Sequence, residues 1–171
     1  MIKKIIFSLF IFFVFTNLSA DIPHYLDFKY ILNKSDAGKK AQDSLKNKLD
    51  KGINQLKKTE KALLEEEKKI IQQKKIIKPE EYKKKVNQLR TKVANLQKER
   101  NNLLDTVSKQ RIKARNELLK NLNPIISEYM KAKNIRMVVD KKSLLLADKN
   151  LDITKDVIDI LNKKLKSIKV E

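Results

Sequence analysis

The sequence has 171 residues, with 40 basic and 21 acidic side chains and a formal net charge of +19 at pH 7. It contains no cysteine, which excludes disulfide bonds and cysteine-ligated metal sites. Its two glycines, Gly38 and Gly52, are too far apart for a glycine-rich phosphate loop, and so few chain breakers favour long helices.

The first predicted element is a secretory signal over residues 1–20. Lys3 and Lys4 precede an apolar run of 11 residues that contains one serine, and Ala20 suits the position before a cleavage site. A retained membrane anchor is the alternative, but spanning a bilayer takes about 20 apolar residues. We therefore expect an exported protein that is cleaved near Ala20.

The positive charge is concentrated in the middle of the chain. Residues 39–133 carry 27 basic and 12 acidic side chains, whereas residues 21–38 carry 2 and 3, and residues 134–171 carry 9 and 6. Such a field attracts anionic partners, including acidic polypeptides, nucleic acid, anionic lipid and lipopolysaccharide. A genome bias towards lysine codons is an alternative source of part of this charge, although it does not explain the concentration in one segment.

Residues 22–28 mix aromatic and β-branched side chains and predict a short strand. His24, the only histidine, lies on it. One histidine without cysteine makes no transition-metal site, so we expect an ordinary strand side chain there.

Two long helices are predicted next. From Leu56 to Ile77 an apolar residue recurs every seven positions, and from Tyr82 to Val107 the apolar residues follow heptad spacing. Pro79 suits a first helical position between the two. The carboxylates of Glu65–Glu67 point in different directions on such a helix and face Lys68 and Lys69, which indicates a solvated surface.

The two apolar stripes match each other in an antiparallel coiled coil. When residues whose numbers sum to 159 face each other, Leu63 meets Leu96 and Leu56 meets Leu103. We therefore predict a helical-hairpin arm over residues 37–133, with its tip near residues 78–81. At about 1.5 Å per residue, the arm is about 60 Å long.

After the arm, strands are predicted at residues 135–139 and 144–147, followed by an amphipathic helix that Asp152 or Thr154 caps. Residues 21–36 and 134–171 would then form a small β-rich body into which the arm is inserted. A body of this size buries little surface, and its sheet has open edges. We therefore expect it to be shared between several chains.

Both ends of the mature chain carry specific motifs. The first comprises Tyr25–Asp27, residues 31–35 and residues 37–42, and the second comprises residues 134–140 and 151–154 with Val157 and Ile158. With the signal sequence and the basic hairpin, these segments resemble the Skp family, also called OmpH-like periplasmic chaperones.

The resemblance implies a mostly helical, jellyfish-like homotrimer, in which a shared β body carries three arms around a cavity. It also implies an ATP-independent periplasmic holdase that binds unfolded outer-membrane β-barrel proteins and prevents their aggregation. It implies no enzymatic activity and no cofactor, and the sequence itself shows no nucleophile beside a base. Two alternatives are a basic nucleic-acid-binding protein and a structural coiled-coil spacer. The signal sequence and the scarcity of aromatic residues in the arms argue against the first, and the terminal strands argue against the second.

Some apolar residues of the first helix lie outside the predicted seam. Leu64 and Ile71 share a helix face, and Ile76 lies near the same line. Four lysines extend or flank this line: Lys57, Lys68, Lys75 and Lys78. Scattered surface apolar residues are normal in soluble proteins. The functional interpretation is that these seven residues contact the client.

Overall fold

The computed structural model describes residues 22–170, and the predicted signal sequence lies outside them. The described chain contains four α-helices, two short strands and two 3₁₀ turns. In chain order these are β1 (His24–Leu26), α1 (Phe28–Lys34), α2 (Asp36–Gln73), α3 (Pro79–Ala132), β2 (Val138–Asp140), turns at Lys141–Ser143 and Lys149–Leu151, and α4 (Thr154–Lys164).

The two strands form a parallel sheet that joins the two ends of the described chain. His24 lies opposite Val138, and the His24 amide donates to the Met137 carbonyl at 3.0 Å. On the other side of β1, Tyr25 bridges to Asp152, and its carbonyl accepts a hydrogen bond from the Ile153 amide at 2.9 Å. The N-terminal strand is therefore held between two C-terminal segments.

The third predicted strand is wrong. Residues 144–147 form no strand in the described chain, and Leu145 and Leu146 are almost wholly exposed. Asp152 instead provides the pairing on the second side of β1. Each strand has only three residues, so the expected β-rich body is a small two-stranded sheet surrounded by helices.

Helix α1 was not predicted, because its sequence continues the aromatic and β-branched character of residues 22–28. The Asp27 carboxylate starts it by accepting a hydrogen bond from the Tyr30 amide at 2.7 Å. Ser35 ends it and caps α2, where its hydroxyl accepts from the Gly38 amide at 3.2 Å. A Cβ at Gly38 would overlap the Leu32 carbonyl, so this tight junction requires glycine.

The main core lies where the ends of the long helices meet α1 and α4. Its largest fully buried apolar side chains come from α1, α3 and α4: Ile31, Leu118, Leu122, Val157 and Leu161; the smaller Ala37 of α2 is also fully buried there. Leu165 and Ile168, beyond α4, pack against the same cluster. The base of α3 is therefore part of the core that holds the sheet.

The N-cap of α4 lies between the two predicted caps, one residue from each. Ile153 occupies the cap position, while the Asp152 carboxylate accepts from the Thr154 amide at 2.9 Å. Partial burial opposes ionisation of Asp152. The hydrogen bonds from Thr154 and the charge of Lys141 outweigh this effect and lower the pKa of Asp152 below its ordinary value.

Two polar contacts fix α4 against α3. The Tyr129 hydroxyl donates to the Asp156 carboxylate at 2.5 Å, and burial together with this carboxylate raises the pKa of Tyr129 to about 12. Lys164 donates to Glu128 at 2.6 Å, and this hydrogen bond and its charge lower the pKa of Glu128. These contacts orient the core helix relative to the arm.

Helices α2 and α3 run antiparallel and form the arm. Leu56, Leu63 and Leu96 are buried together, with Leu89 and Leu103 packed against them. The ion pairs Glu66–Lys92, at 2.7 Å, and Glu60–Arg100, at 3.5 Å, join the two helices. Their residue numbers sum to 158 and 160, which agrees with the predicted register of 159.

Candidate functional site

The tip of the arm is a non-helical turn. Helix α2 ends at Gln73, and the Gln73 carbonyl accepts hydrogen bonds from the amides of Ile76 and Ile77 at 2.9 and 3.1 Å. Lys78 is extended, with φ −62° and ψ 145°, because proline disfavours helical backbone in the residue before it. Pro79 then opens α3, as predicted.

All seven candidate client-contact residues are exposed. Leu64 and Ile71 lie on α2 and are 52% and 58% exposed, and Ile76 in the turn is 81% exposed. The predicted place of Ile76 near the helical line of Leu64 and Ile71 is wrong, because α2 ends at Gln73 and Ile76 lies in the turn beyond it. For the same reason Lys75 and Lys78 belong to the tip and not to the line through Lys57.

The lysines among these residues differ in how they are neutralised. Lys68 pairs with Glu65 at 2.9 Å on its own helix. Lys57, Lys75 and Lys78 form no ion pair with any described residue. Their charges are therefore free to attract an anionic partner, within the screening distance of about 8–10 Å at physiological salt.

The structure adds two aliphatic residues of α3 to this surface. Val93 and Leu104 are 50% and 53% exposed. The heptad pattern had placed Val93 in the seam between the helices. In the predicted register, however, the first helix offers Glu67 near Val93, so no apolar partner covers it. The pairing of apolar Val93 with charged Glu67 is the feature of the sequence that indicates an exposed Val93.

A second exposed apolar region lies on the body. Leu145 and Leu146 protrude from the loop after β2, and Met137 beside β2 is 56% exposed. A groove of about 550 Å³ lies next to the same strand, lined by Phe28, Leu119, Ile126 and Val138 among others. Large apolar side chains exposed to this extent are candidates for an interaction surface.

Residues 22–170 contain neither a metal-binding cluster nor a membrane-spanning helix. No group of three or more histidine, cysteine, aspartate or glutamate side chains comes together there in a way that could hold a metal ion. No helix in this range is long and apolar enough to cross a membrane.

A match to a known protein family shows which family the chain belongs to. The family model described as outer membrane protein (OmpH-like) matches residues 24–161, which include the sheet, the arm and most of α4. The chain belongs to the OmpH-like family. The resemblance seen in the terminal motifs is thereby confirmed, and the OmpH-like match runs through the whole hairpin.

The OmpH-like assignment agrees with a solved structure. The chain is similar in fold to a candidate OmpH-like outer membrane chaperone from Caulobacter crescentus CB15, with a TM-score of 0.81 and 21% sequence identity. The similarity covers 86% of this chain and 89% of that chain. No curated protein gives a significant match to the sequence.

Proposed function

We propose that this OmpH-like protein is an ATP-independent periplasmic holdase that binds unfolded outer-membrane proteins and prevents their aggregation. The surface of the arm is the main support for this function. The arm is a long hairpin on which aliphatic side chains such as Leu64 and Ile71 remain more than half exposed, beside lysines that form no ion pair with any of residues 22–170. A surface of this composition suits an unfolded chain with apolar segments and acidic residues.

The energetics of the arm fit reversible holding. Burying one aliphatic side chain stabilises a complex by roughly 1.5–3 kcal/mol at most. A few such contacts on each arm therefore give a complex that forms and dissociates without an external source of energy. The unpaired lysines mainly accelerate encounter with an acidic client, because long-range charge acts on association rates.

The predicted signal sequence supports a periplasmic location. The signal predicted over residues 1–20 would deliver the chain to the periplasm.

A homotrimer with a shared body is supported by two exposed features of the described body. A neighbouring copy would cover the exposed side chains of Leu145 and Leu146, and it would also cover the edge of β2 that no described strand pairs with. Sedimentation equilibrium should give three mature chains per particle, and Leu145→Asp with Leu146→Asp should reduce that number. A folded parent monomer at micromolar concentration would contradict the assembly.

The function is tested with an unfolded outer-membrane β-barrel protein diluted out of denaturant. Light scattering should show that the purified protein suppresses aggregation without ATP. The triple variant Leu64→Ser, Ile71→Ser and Ile76→Ser should suppress it less, with unchanged helicity and mass. Replacing Lys57, Lys75 and Lys78 with glutamine should mainly slow capture and weaken its salt dependence. Unaltered aggregation in the presence of the parent protein would refute the holdase function.

A further inference from the structure

The segment after α4, residues 165–170, leaves the body and lies against the base of the arm. We propose that this segment is a strap that fixes the direction of the arm relative to the body, and that its release lets the arm pivot. The strap would act in this way whatever the arm binds. The match to the OmpH-like family model ends at residue 161, so the strap lies wholly outside the matched region.

The strap is anchored at the first residue of α2. Lys166 forms an ion pair with the carboxylate of Asp36 at 3.4 Å, and the Asp36 amide donates to the side-chain oxygen of Asn162 at 2.8 Å. Leu165 is extended, with φ −134° and ψ 108°, so the chain leaves helical geometry there. The strap therefore meets the arm where α2 begins.

Ile168 attaches the middle of the strap to both helices of the arm. Its side chain is partly buried and packs against the main core. It also lines a groove of about 550 Å³ together with Ala41 and Leu45 of α2 and Ala114 of α3. Leu45 lies nine residues after Asp36, so the strap reaches about 14 Å along the arm at about 1.5 Å per residue.

The groove shows that α2 and α3 are loosely packed at this level. Three of its lining residues are small, namely Gly38 and Ala41 of α2 and Ala114 of α3. Protein interiors are normally filled closely, and small side chains leave space between the two helices here. Both helices pass through this region without a break, so the arm can change direction if one helix slides on the other. Ile168 forms one wall of the groove and restricts that movement.

The end of the strap is held against opposing forces. Lys169 and Val170 line a second cavity with Lys40 and Lys48 of α2. These three lysines form no ion pair with any described residue, so their like charges repel each other. Gln110 of α3 lines the same cavity, and its side-chain oxygen is buried without a hydrogen-bond partner among residues 22–170. Release of the strap would let water reach this oxygen.

The attached state of the strap is therefore only weakly favoured. The side chains of Lys166 and Asp36 are 67% and 42% exposed, so their ion pair contributes little. Burial of Ile168 is the main favourable contribution. The repulsion between lysines and the unpaired oxygen of Gln110 oppose it. A balance of this kind lets the strap detach and reattach while the body stays folded.

The test measures the distance between the body and the arm in the full chain by double electron–electron resonance. Spin labels are attached to Lys58→Cys on α2 and Lys155→Cys on α4, two exposed positions in a sequence without other cysteines. An excess of unlabelled chain ensures that only distances within one chain are measured. Ile168→Ser should widen the distribution of this distance about twofold, because the groove loses one wall. Ile112→Ser makes the same change at an exposed position of α3 and should not widen it.

Two charge reversals separate attachment of the strap from a general effect of charge. Lys166→Glu places two carboxylates together at Asp36 and should widen the distance distribution. Lys169→Glu replaces repulsion by attraction to Lys40 and Lys48, so the distribution should be as narrow as in the parent or narrower. Both substitutions make the same change of charge at exposed positions of one segment.

Three outcomes would overturn the proposal: an unchanged distribution in Ile168→Ser, equal widening in Ile112→Ser, or equal widening in the two charge reversals. Circular dichroism and sedimentation serve as checks that each variant keeps the fold and the assembly. If Ile168→Ser does not fold, the charge reversals decide the matter, because both lysines are exposed and their replacement leaves the core intact.

Discussion

The backbone amide of Asp27 donates a hydrogen bond to the hydroxyl of Thr154 at 2.8 Å, across a sequence separation of 127 residues. Thr154 is buried, so its loss leaves the amide without a partner. Thr154→Val keeps the side-chain shape and should lower the free energy of unfolding by about 1–3 kcal/mol, measured by chemical denaturation.

The matched control for this variant is Thr91→Val. The Thr91 hydroxyl is exposed and donates to the Asn87 carbonyl of its own helix at 3.1 Å. Its loss should change stability by less than about 0.5 kcal/mol, as is usual for surface substitutions. Equal effects of the two variants would mean that the Asp27–Thr154 contact does not hold the ends of the chain together.

The two glycines should respond differently to alanine. At Gly38 a Cβ would overlap the Leu32 backbone, which side-chain rotation cannot relieve, so Gly38→Ala should destabilise the protein by about 1–3 kcal/mol. At Gly52 a Cβ would lie 2.5 Å from Leu103 Cδ2, the movable end of a side chain. Gly52→Ala should therefore be stabilising by up to about 1 kcal/mol once Leu103→Ala removes the overlap.

A double-mutant cycle measures the second effect. The change caused by Gly52→Ala should be more favourable in the Leu103→Ala background than in the parent, with the denaturation midpoint as the readout. The same change in both backgrounds would mean that Gly52 and Leu103 are not in contact.

The register of the arm can be tested by crosslinking, because the natural sequence contains no cysteine. Cysteines at Leu63 and Leu96, which are buried in one cluster, should form a disulfide within one chain. Cysteines at Leu63 and Val107 should remain reduced, since Val107 lies several turns nearer the base. Electrophoresis without reductant should show a shifted band, from an intramolecular disulfide, for the Leu63 and Leu96 pair only. A disulfide in the Leu63 and Val107 pair alone would contradict the hairpin register.

Acid should weaken the body through Asp152, whose pKa in the folded protein is lowered from the ordinary 3.8. A lowered carboxylate pKa contributes stability above the pKa of the unfolded chain, and this contribution is lost as the pH falls through the folded value. The free energy of unfolding should therefore drop more steeply below about pH 4 in the parent than in Asp152→Asn. Asp43→Asn, which changes the same charge at an exposed site, is the control. Parallel pH curves for the parent and Asp152→Asn would exclude this role.

The arm could be predicted from the sequence because its signal is periodic and local. Seven-residue spacing on two segments, with Pro79 between them, determines both helices and their register. The ends were less certain: α2 stops at Gln73, before the expected Ile77, and residues 74–77 belong to the turn that leads to Pro79.

The body was harder to predict because its elements are short and depend on distant partners. The run Leu144–Ala147 has the composition of a buried strand, yet Leu145 and Leu146 are exposed in the single chain. Helix α1 has seven residues, and its stability comes from the Asp27 cap and from burial of Ile31 in the core. Neither feature has a periodic signature.

The candidate site was predicted in part. Leu64 and Ile71 could be found because they lie outside an obvious seam. Val93 could not be found from its own helix, where it continues the heptad stripe. Its exposure depends on the charged residues that the other helix places opposite it, and this depends on the pairing of the two helices.

The parallel pairing of β1 with β2 has a consequence for how the molecule folds. His24 and Val138 enclose a loop of roughly 110 residues, whose closure in an unfolded chain carries a large entropic penalty. A hairpin that forms first from its tip brings the two ends together and leaves residues 25–35 and 133–137, about 16 residues, as the effective loop, which lowers that penalty by roughly 2 kcal/mol. The two helices of the arm should therefore pair early in folding, and strands β1 and β2 should pair last. A folding chain would then have its arm before it has its body.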